Sequence, residues 1–280
     1  GIVTPAAEAK VSVLDNGFTF GDSVYETLRT YRGRPFHLDR HLTRLRTSAW
    51  RLGIAIPQGD QVFAQRLDEI LARAQNDESY IRLIVSRGEG DVSYRFDRVK
   101  GPTVILLVKP YEPFPASHYA EGVPVILSSV RRNHPSALDP AIKSCNLLNN
   151  ILAVREAQAK GAVEPILLNA AGELAEGAGS NFFVVRGGHA VTPPLGAGIL
   201  AGVTRAALLD IGPSLGVPTR EQALLPGDLF AADEAFLTST LKEVMPISSV
   251  DGRPLGDGKP GPVTLRLLQA FREYAPSHCA

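Results

Sequence analysis

Two cysteines, Cys145 and Cys279, are the only thiols in this 280-residue chain, and no CxxC pair or Cys/His cluster accompanies them. Neither a disulfide framework nor a structural zinc site is indicated, and a reducing, cytoplasmic compartment is the simpler reading. Net charge is equally scarce: 29 Lys and Arg offset 29 Asp and Glu, leaving a formal charge of zero. Such a chain has no long-range field for holding a polyphosphate or an anionic bilayer, so nucleic acid and membrane surfaces are poor partners for it. Long apolar runs are missing as well. Stretches such as Val104 to Val108 fall far short of the roughly 18 apolar residues a spanning helix needs. With 26 glycines and 21 prolines the composition stays below the low-complexity range, and no internal repeat is visible. The single methionine is Met245 and the chain opens on Gly1, so an initiator upstream is expected; no signal-peptide pattern is visible.

What is present has globular proportions, with 44% hydrophobic and 21% charged residues, and the length predicts about two domains. Leu38, Leu42, Leu45, Ala49 and Leu52 alternate at steps of four and three and predict a helix over 37–53. Val62, Phe63, Leu67, Ile70, Leu71 and Ala74 predict a second over about 60–75. Period-two patterns flank the pair. In 79–88, Ile81, Leu83 and Val85 alternate with Tyr80, Arg82 and Ser86, and in 23–33 the residues Tyr25, Thr27, Arg29 and Tyr31 share one side. Each strand thus presents a tyrosine and an arginine together. The segment 111–122, with two prolines and no period, is read as a linker between an N-terminal domain, 1–116, and a C-terminal domain, 117–280. Beyond it the patterns predict helices near 146–160, 203–210 and 262–274 and strands near 124–130, 164–169, 181–186 and 234–238. Elements mixed without βαβ alternation favour an α+β architecture.

Three stretches carry candidate chemistry. In 141–161, Lys143 stands just before a strongly apolar helix, in a turn-like context from which it can point into a cavity. A partly desolvated lysine amine is a nucleophile toward carbonyls, and the product is a Schiff base. In 173–185, Glu176 falls in a glycine-rich loop ahead of an apolar strand, and in 198–212 two glycines precede a helix start suited to a phosphate. Lysine, carboxylate and phosphate cradle are the three needs of pyridoxal phosphate. Cys145, with no histidine near it in sequence, reads as a small buried hydrophobe, and His37 with His41 lacks the further ligands of a metal site.

Taken in order, DNGFTFGDSVYETLR, HLTRLRTSA, YIR, IKSCNLLNN, EGAGSNFF, GILAGVTR, LTSTLKEVMPI and SVDGRPLGDGKPGPVT resemble the class IV, branched-chain and D-amino-acid aminotransferase-like, pyridoxal-phosphate enzymes over nearly the whole chain. The resemblance implies a smaller N-terminal α/β sandwich, a larger C-terminal domain with a barrel-like sheet, and a homodimer. It implies that Lys143 holds the cofactor aldehyde, that Glu176 partners the pyridine nitrogen and that Leu200 packs against the ring. It also implies that Arg44 clamps the phosphate with the backbone of Val203 and Thr204 and with Ser239 and Thr240. An anionic carboxylate keeps the ring nitrogen protonated, and a guanidinium fork suits a dianionic phosphate.

Tyr25 with Arg29 and Tyr80 with Arg82 are the candidates for the substrate carboxylate. Where the D-amino-acid branch carries an Arg and a His after the RG turn, this chain has Val92 and Tyr94, with Arg95 close behind as a substitute. IKSCNLLNN and LTSTLKE lean to that branch, whereas YIR and the SVDGRPLGDGKPGPVT tail lean to the branched-chain one. The expected activity is transfer of an amino group between an α-amino acid, of D- or branched-chain type, and an α-keto acid. The alternatives are a pyruvate-releasing lyase of the aminodeoxychorismate type, a pyridoxal-phosphate-binding module without turnover, and a two-domain binding protein with no cofactor.

Overall fold

The structure, a computed structural model, describes residues 2–280. The chain divides into two compact units, one taking in the chain up to Glu112 with Ile142–Asn146 and His278–Ala280, the other Pro113–Ala141 and Leu147–Ser277. This differs from a single break in the 111–122 segment: the five residues around Lys143 and the last three of the chain group with the N-terminal unit.

In the first unit a short helix α1 (Asn16–Phe20) leads into β1 (Ser23–Tyr31), β2 (Arg34–Pro35), α2 (Leu38–Arg51), α3 (Asp60–Ala74), β3 (Ser79–Ser86) and β4 (Thr103–Pro110). The strands form one antiparallel sheet in the order β2-β1-β3-β4. Alternation decides its faces. Val24, Leu28, Ile81, Leu83 and Val85 pack against Leu38, Leu42, Leu45 and Ala49 of α2 and Phe63 and Leu67 of α3. Each of the Val, Leu, Ile and Phe side chains contributes about 1.5–3 kcal/mol through removal from water. The other face, set by the register Tyr25↔Ile84, Thr27↔Arg82 and Arg29↔Tyr80, stays half-exposed. The β1–β2 turn needs left-handed backbone at both central residues, Arg32 at φ 54° and Gly33 at φ 74°, the geometry that follows the strand twist.

The end of α2 explains the predicted stop at Gly53. That glycine adopts φ 63°, its N–H donates to Trp50 O at 2.9 Å, and Ile54 N–H donates to Ala49 O at 2.8 Å. The pair of bonds satisfies carbonyls the helix would otherwise leave open.

Lys143 enters this unit through backbone pairing. Tyr25 N–H donates to Lys143 O at 2.9 Å, Cys145 N–H to Ser23 O at 2.9 Å, and Val24 and Ser144 form an isolated antiparallel bridge. The tail does the same on the far side: Phe36 bridges Cys279, and Ala280 N–H donates to Pro35 O at 3.0 Å.

The second unit runs α4 (Ala116–Ala120), β5 (Val123–Leu127), α5 (Pro135–Leu138), α6 (Leu148–Ala159), β6 (Glu164–Leu168), β7 (Leu174–Gly177), β8 (Asn181–Arg186) and β9 (His189–Thr192). It continues with α7 (Val203–Ile211), β10 (Thr219–Glu221), α8 (Pro226–Phe230), β11 (Glu234–Ser239), β12 (Glu243–Val250), β13 (Arg253–Pro254) and α9 (Pro262–Tyr274). The nine-stranded sheet has the order β10-β9-β8-β11-β12-β5-β6-β7, with β13 on β12. Although β7 and β8 are far apart in that order, only residues 178–180 join them, and Gly177 N–H donates to Ser180 O at 2.8 Å. The sheet therefore curls until β7, at one end, approaches β8. Its interior is filled by Val125, Ile166, Leu174, Phe182, Val184, Leu237, Met245 and Ile247.

Two expectations change here. Glu176, read as a loop residue, lies within β7, because Leu174 and Gly177 pair with Leu168 and Ile166 across a register shift that masks the alternation. The strand read as 124–130 stops at Leu127.

Candidate active site

The first unit gathers Lys143, Tyr25 and Arg82. The Lys143 Nζ lies 4.6 Å and the Arg82 guanidinium carbon 4.0 Å from the centroid of the Tyr25 ring. An aromatic face attracts cations, and here one ring receives two. Burial pushes the Tyr25 hydroxyl above its usual pKa, with Arg82 opposing and Cys145 adding to the rise. Burial works against the Arg82 charge, but its hydrogen bond to Tyr80 and the field of Tyr25 prevail and raise its pKa. Arg29 is held differently, its guanidinium 4.2 Å from the Tyr31 ring and 3.8 Å from the Tyr111 ring. Arg95 is exposed and bonded to Asp97 at 3.1 and 2.8 Å.

Arg44, on the buried side of α2, grips Glu26 of β1 with both arms of its fork, Nε to Oε1 and Nη2 to Oε2, each at 2.7 Å. His41 Nδ1 meets Glu26 Oε2 at 2.7 Å. Burial alone would raise the Glu26 carboxyl; the Arg44 charge and hydrogen bonds, with help from His41, bring it down to about 2. An ionised carboxylate only accepts, so the His41 proton sits on Nδ1, and burial holds the ring neutral by lowering its pKa. Glu26 carries no signal of its own in the sequence, although HLTRL places His41 and Arg44 three apart on one helix face.

The second unit gathers the remaining candidates. Glu176 Oε1 accepts from Arg132 Nε at 2.9 Å and lies 2.8 Å from Arg132 Nη2. Its Oε2 accepts from Asn181 Nδ2 at 3.1 Å and from Leu200 N–H at 3.0 Å. Arg132 is fixed in turn by the Asn149 and Asn150 carboxamide oxygens at 3.3 and 3.1 Å. A carboxylate with a guanidinium and two amides around it is held as an oriented anion. Sequence reasoning misses Arg132, Asn149, Asn150 and Asn181, yet three of these four lie inside the IKSCNLLNN and EGAGSN stretches. Arg132 sits in an irregular stretch without a period to flag it.

Val203 and Thr204 open α7, whose N-cap, Gly202, provides no side-chain acceptor. A Cβ at Gly202 would collide with Asn181 Oδ1, so the close approach demands glycine. Thr204 Oγ1 is buried and finds no hydrogen-bond partner among the described residues, and the same holds for Thr238 Oγ1, next to Ser239. Buried hydroxyls left unfilled cost stability unless a ligand completes them. Ser239 Oγ accepts from Lys242 N–H at 3.0 Å, and Thr240 is buried beside it in the β11–β12 turn. A helix start without a side-chain cap beside unfilled hydroxyls fits a phosphate. Within this unit, the oriented carboxylate of Glu176 and the start of α7 fit the ring-nitrogen and phosphate ends of pyridoxal phosphate.

Residues 23–250 match the family model described as amino-transferase class IV. The chain is 33% identical to the D-alanine aminotransferase of Bacillus licheniformis over 280 residues, covering 100% of this chain and 97% of that one. Among solved structures it is similar to the Escherichia coli branched-chain amino acid aminotransferase, with a TM-score of 0.92, 31% identity, and coverage of 99% of this chain and 93% of that one. It is similar also to the T.th. branched-chain amino acid aminotransferase with pyridoxamine 5'-phosphate, with a TM-score of 0.91, 31% identity, and coverage of 98% and 92%.

The chain belongs to the class IV aminotransferases, with the two-domain α+β fold of that family. It is an aminotransferase whose cofactor is pyridoxal 5'-phosphate.

Proposed function

We propose that this enzyme exchanges an amino group between an α-amino acid, of D- or branched-chain type, and an α-keto acid. The carrying observation is the placing of Lys143 Nζ and the Arg82 guanidinium over the same Tyr25 ring, at 4.6 and 4.0 Å from its centroid. An amine that handles the α-proton and a guanidinium that takes the neighbouring carboxylate are the two groups an α-amino acid requires. Bound pyridoxal phosphate supplies the electron-withdrawing ring that makes the α-hydrogen acidic.

Lys143 holds the cofactor aldehyde at rest and carries the α-proton once the substrate amine has replaced it. Glu176 faces the ring nitrogen and Leu200 the ring itself. Arg44, the N–H groups of Val203 and Thr204, and the hydroxyls of Ser239 and Thr240 take the phosphate. Tyr25, Arg29, Tyr80 and Arg82 orient the substrate from the half-exposed face of the first sheet. A homodimer belongs to the same reading: Leu148, Ile151 and Leu152 lie exposed on α6 as an apolar strip that a second copy covers. A cytoplasmic setting agrees with two cysteines that form no disulfide among the described residues, of which no helix is long and apolar enough to cross a membrane.

The test is a half-reaction. Holoenzyme mixed separately with D-alanine, L-leucine and L-glutamate is expected to convert to the pyridoxamine form with at least one of them, and Lys143→Ala is expected to lose both the visible absorbance of the lysine-bound cofactor and the conversion. No conversion with any donor, together with pyruvate release from aminodeoxychorismate, overturns the assignment in favour of a lyase.

A further inference from the structure

The second unit contains a nearly dry ion pair that none of the roles above uses. Lys242 Nζ lies 3.0 Å from Glu164 Oε2, with the two side chains 12% and 6% exposed. The other oxygen, Glu164 Oε1, accepts from Gly179 N–H at 2.8 Å and from Ser180 Oγ at 2.8 Å. Both backbone ends of Lys242 are fixed too: its N–H donates to Ser239 Oγ at 3.0 Å, and its carbonyl accepts from Tyr119 OH at 3.2 Å. Even Gly177 belongs to the arrangement, since a Cβ there would press on Ser180 Oγ and Glu164 Oε1.

Glu164 and Lys242 thereby fasten two loops that continue a pair of neighbouring strands beyond their last paired residues, Asn181 of β8 and Thr238 of β11. One, residues 178–180, follows Glu176 and Gly177 and leads into Asn181. The other, residues 240–242, follows Ser239 and begins with Thr240. A buried ion pair is weak evidence for stability, because desolvating both charges offsets their attraction. Its geometric effect is specific all the same: the carboxylate spends one oxygen on the first loop and the other on the cation of the second.

We propose that Glu164 and Lys242 are a positioning pair that sets the spacing between the Glu176 loop and the Ser239–Thr240 turn, and through it the affinity for pyridoxal phosphate. The proposal rests on the reading that these two loops hold the cofactor, so its test includes a control for that reading.

The variants are Lys242→Met, Glu164→Gln and the apolar pair Glu164→Leu with Lys242→Met, each measured for pyridoxal phosphate dissociation from the resolved enzyme and for melting temperature with and without cofactor. Lys242→Met and Glu164→Gln are expected to weaken cofactor binding about tenfold, since small misplacements of contacting groups cost factors of this order. The apolar pair is expected to recover the cofactor-free melting temperature without recovering cofactor affinity. A purely structural pair would do the reverse, lowering the cofactor-free melting temperature with dissociation constants unchanged, or regaining both in the apolar pair; either result overturns the proposal. Glu176→Gln and Thr240→Ala serve as the control. If they bind cofactor like the parent, the assignment of the loops fails. If they weaken binding and Lys242→Met does not, only the positioning role fails.

Discussion

Glu26→Gln is the sharpest probe of the first unit, because a single carboxylate there meets three donors. Its side chain is 1% exposed and that of Arg44 13%, and the three contacts with Arg44 and His41 are all 2.7 Å. Glutamine keeps the shape but turns one acceptor into a donor, so an N–H faces either Arg44 or His41, and the guanidinium loses its counter-charge. Removing one partner of such a pair costs about 3–5 kcal/mol, and the partial exposure of Arg44 places this case near the lower end, about 3 kcal/mol. Proton linkage gives an independent figure. The carboxyl falls from an ordinary 4.5 to about 2 in the folded protein. At about 1.4 kcal/mol per unit this difference corresponds to about 3–4 kcal/mol, present in full above pH 4.5 and lost as the pH falls toward 2. Both figures are of the same order. Urea midpoints of parent and variant, taken at steps from pH 7 to pH 3, are therefore expected to differ most above pH 5 and to converge as acid is added. A gap of constant size across that range would refute the reasoning. The same variant is expected to bind pyridoxal phosphate more weakly, since Arg44 loses the carboxylate that orients it.

Three further outcomes follow from the second unit and from the start of α2. Thr204→Val is expected to melt about as high as the parent without cofactor, or higher, because the methyl replaces a buried hydroxyl that has no partner among the described residues. It is also expected to bind pyridoxal phosphate less tightly, and a variant that loses stability and keeps its affinity would remove Thr204 from the phosphate site. Arg132→Met is expected to shift the pH dependence of the holoenzyme's visible absorbance and to weaken cofactor binding. Arg132→Lys should restore this only in part, because a lysine lacks the fork that spans Glu176 and the two asparagines. Burial, then the charge of Arg40, lowers the His37 pKa from 6.5 to about 4. The unfolded chain binds that proton more readily, so stability is full above pH 6.5 and falls as the pH drops toward 4. His37→Asn, which suits the left-handed φ of 45° at this helix N-cap, should flatten that slope in thermal melts.

The parts legible in the sequence were those whose local period matched their burial. The predicted helices over 37–53 and 60–75 and the strands 23–33 and 79–88 emerge within a few residues of α2, α3, β1 and β3, because each buries one face against the others and its apolar spacing records that fact. In the second unit β7 and β12 escaped notice. β7 is four residues long and fully buried, so nothing alternates in it, and β12 carries Pro246 in a run buried along most of its length. The small β9, β10 and β13 are too short to show a period at all.

For the site, the division between legible and hidden follows distance along the chain. Lys143, Glu176 and the glycines ahead of α7 could be picked out because each sits in a compact local pattern whose residue types suit one cofactor. The groups that hold them could not. Arg132 lies 44 positions from Glu176, Glu26 18 from Arg44, and Glu164 78 from Lys242. Nothing in a one-dimensional pattern ties a carboxylate to a guanidinium across such gaps; only the β pairing and the packing of α2 bring them together. Among the described residues these buried carboxylates each have a cation as partner, as the cost of an isolated buried charge requires. A buried acid predicted from sequence is therefore also a prediction that donors from elsewhere in the chain meet it, an Arg or Lys at Glu26, Glu164 and Glu176, and N–H and hydroxyl groups at Asp15 and Glu234. In this enzyme that inference leads from Glu176 to Arg132, from Glu26 to Arg44, and from Glu164 to the lysine that fastens the Ser239–Thr240 turn.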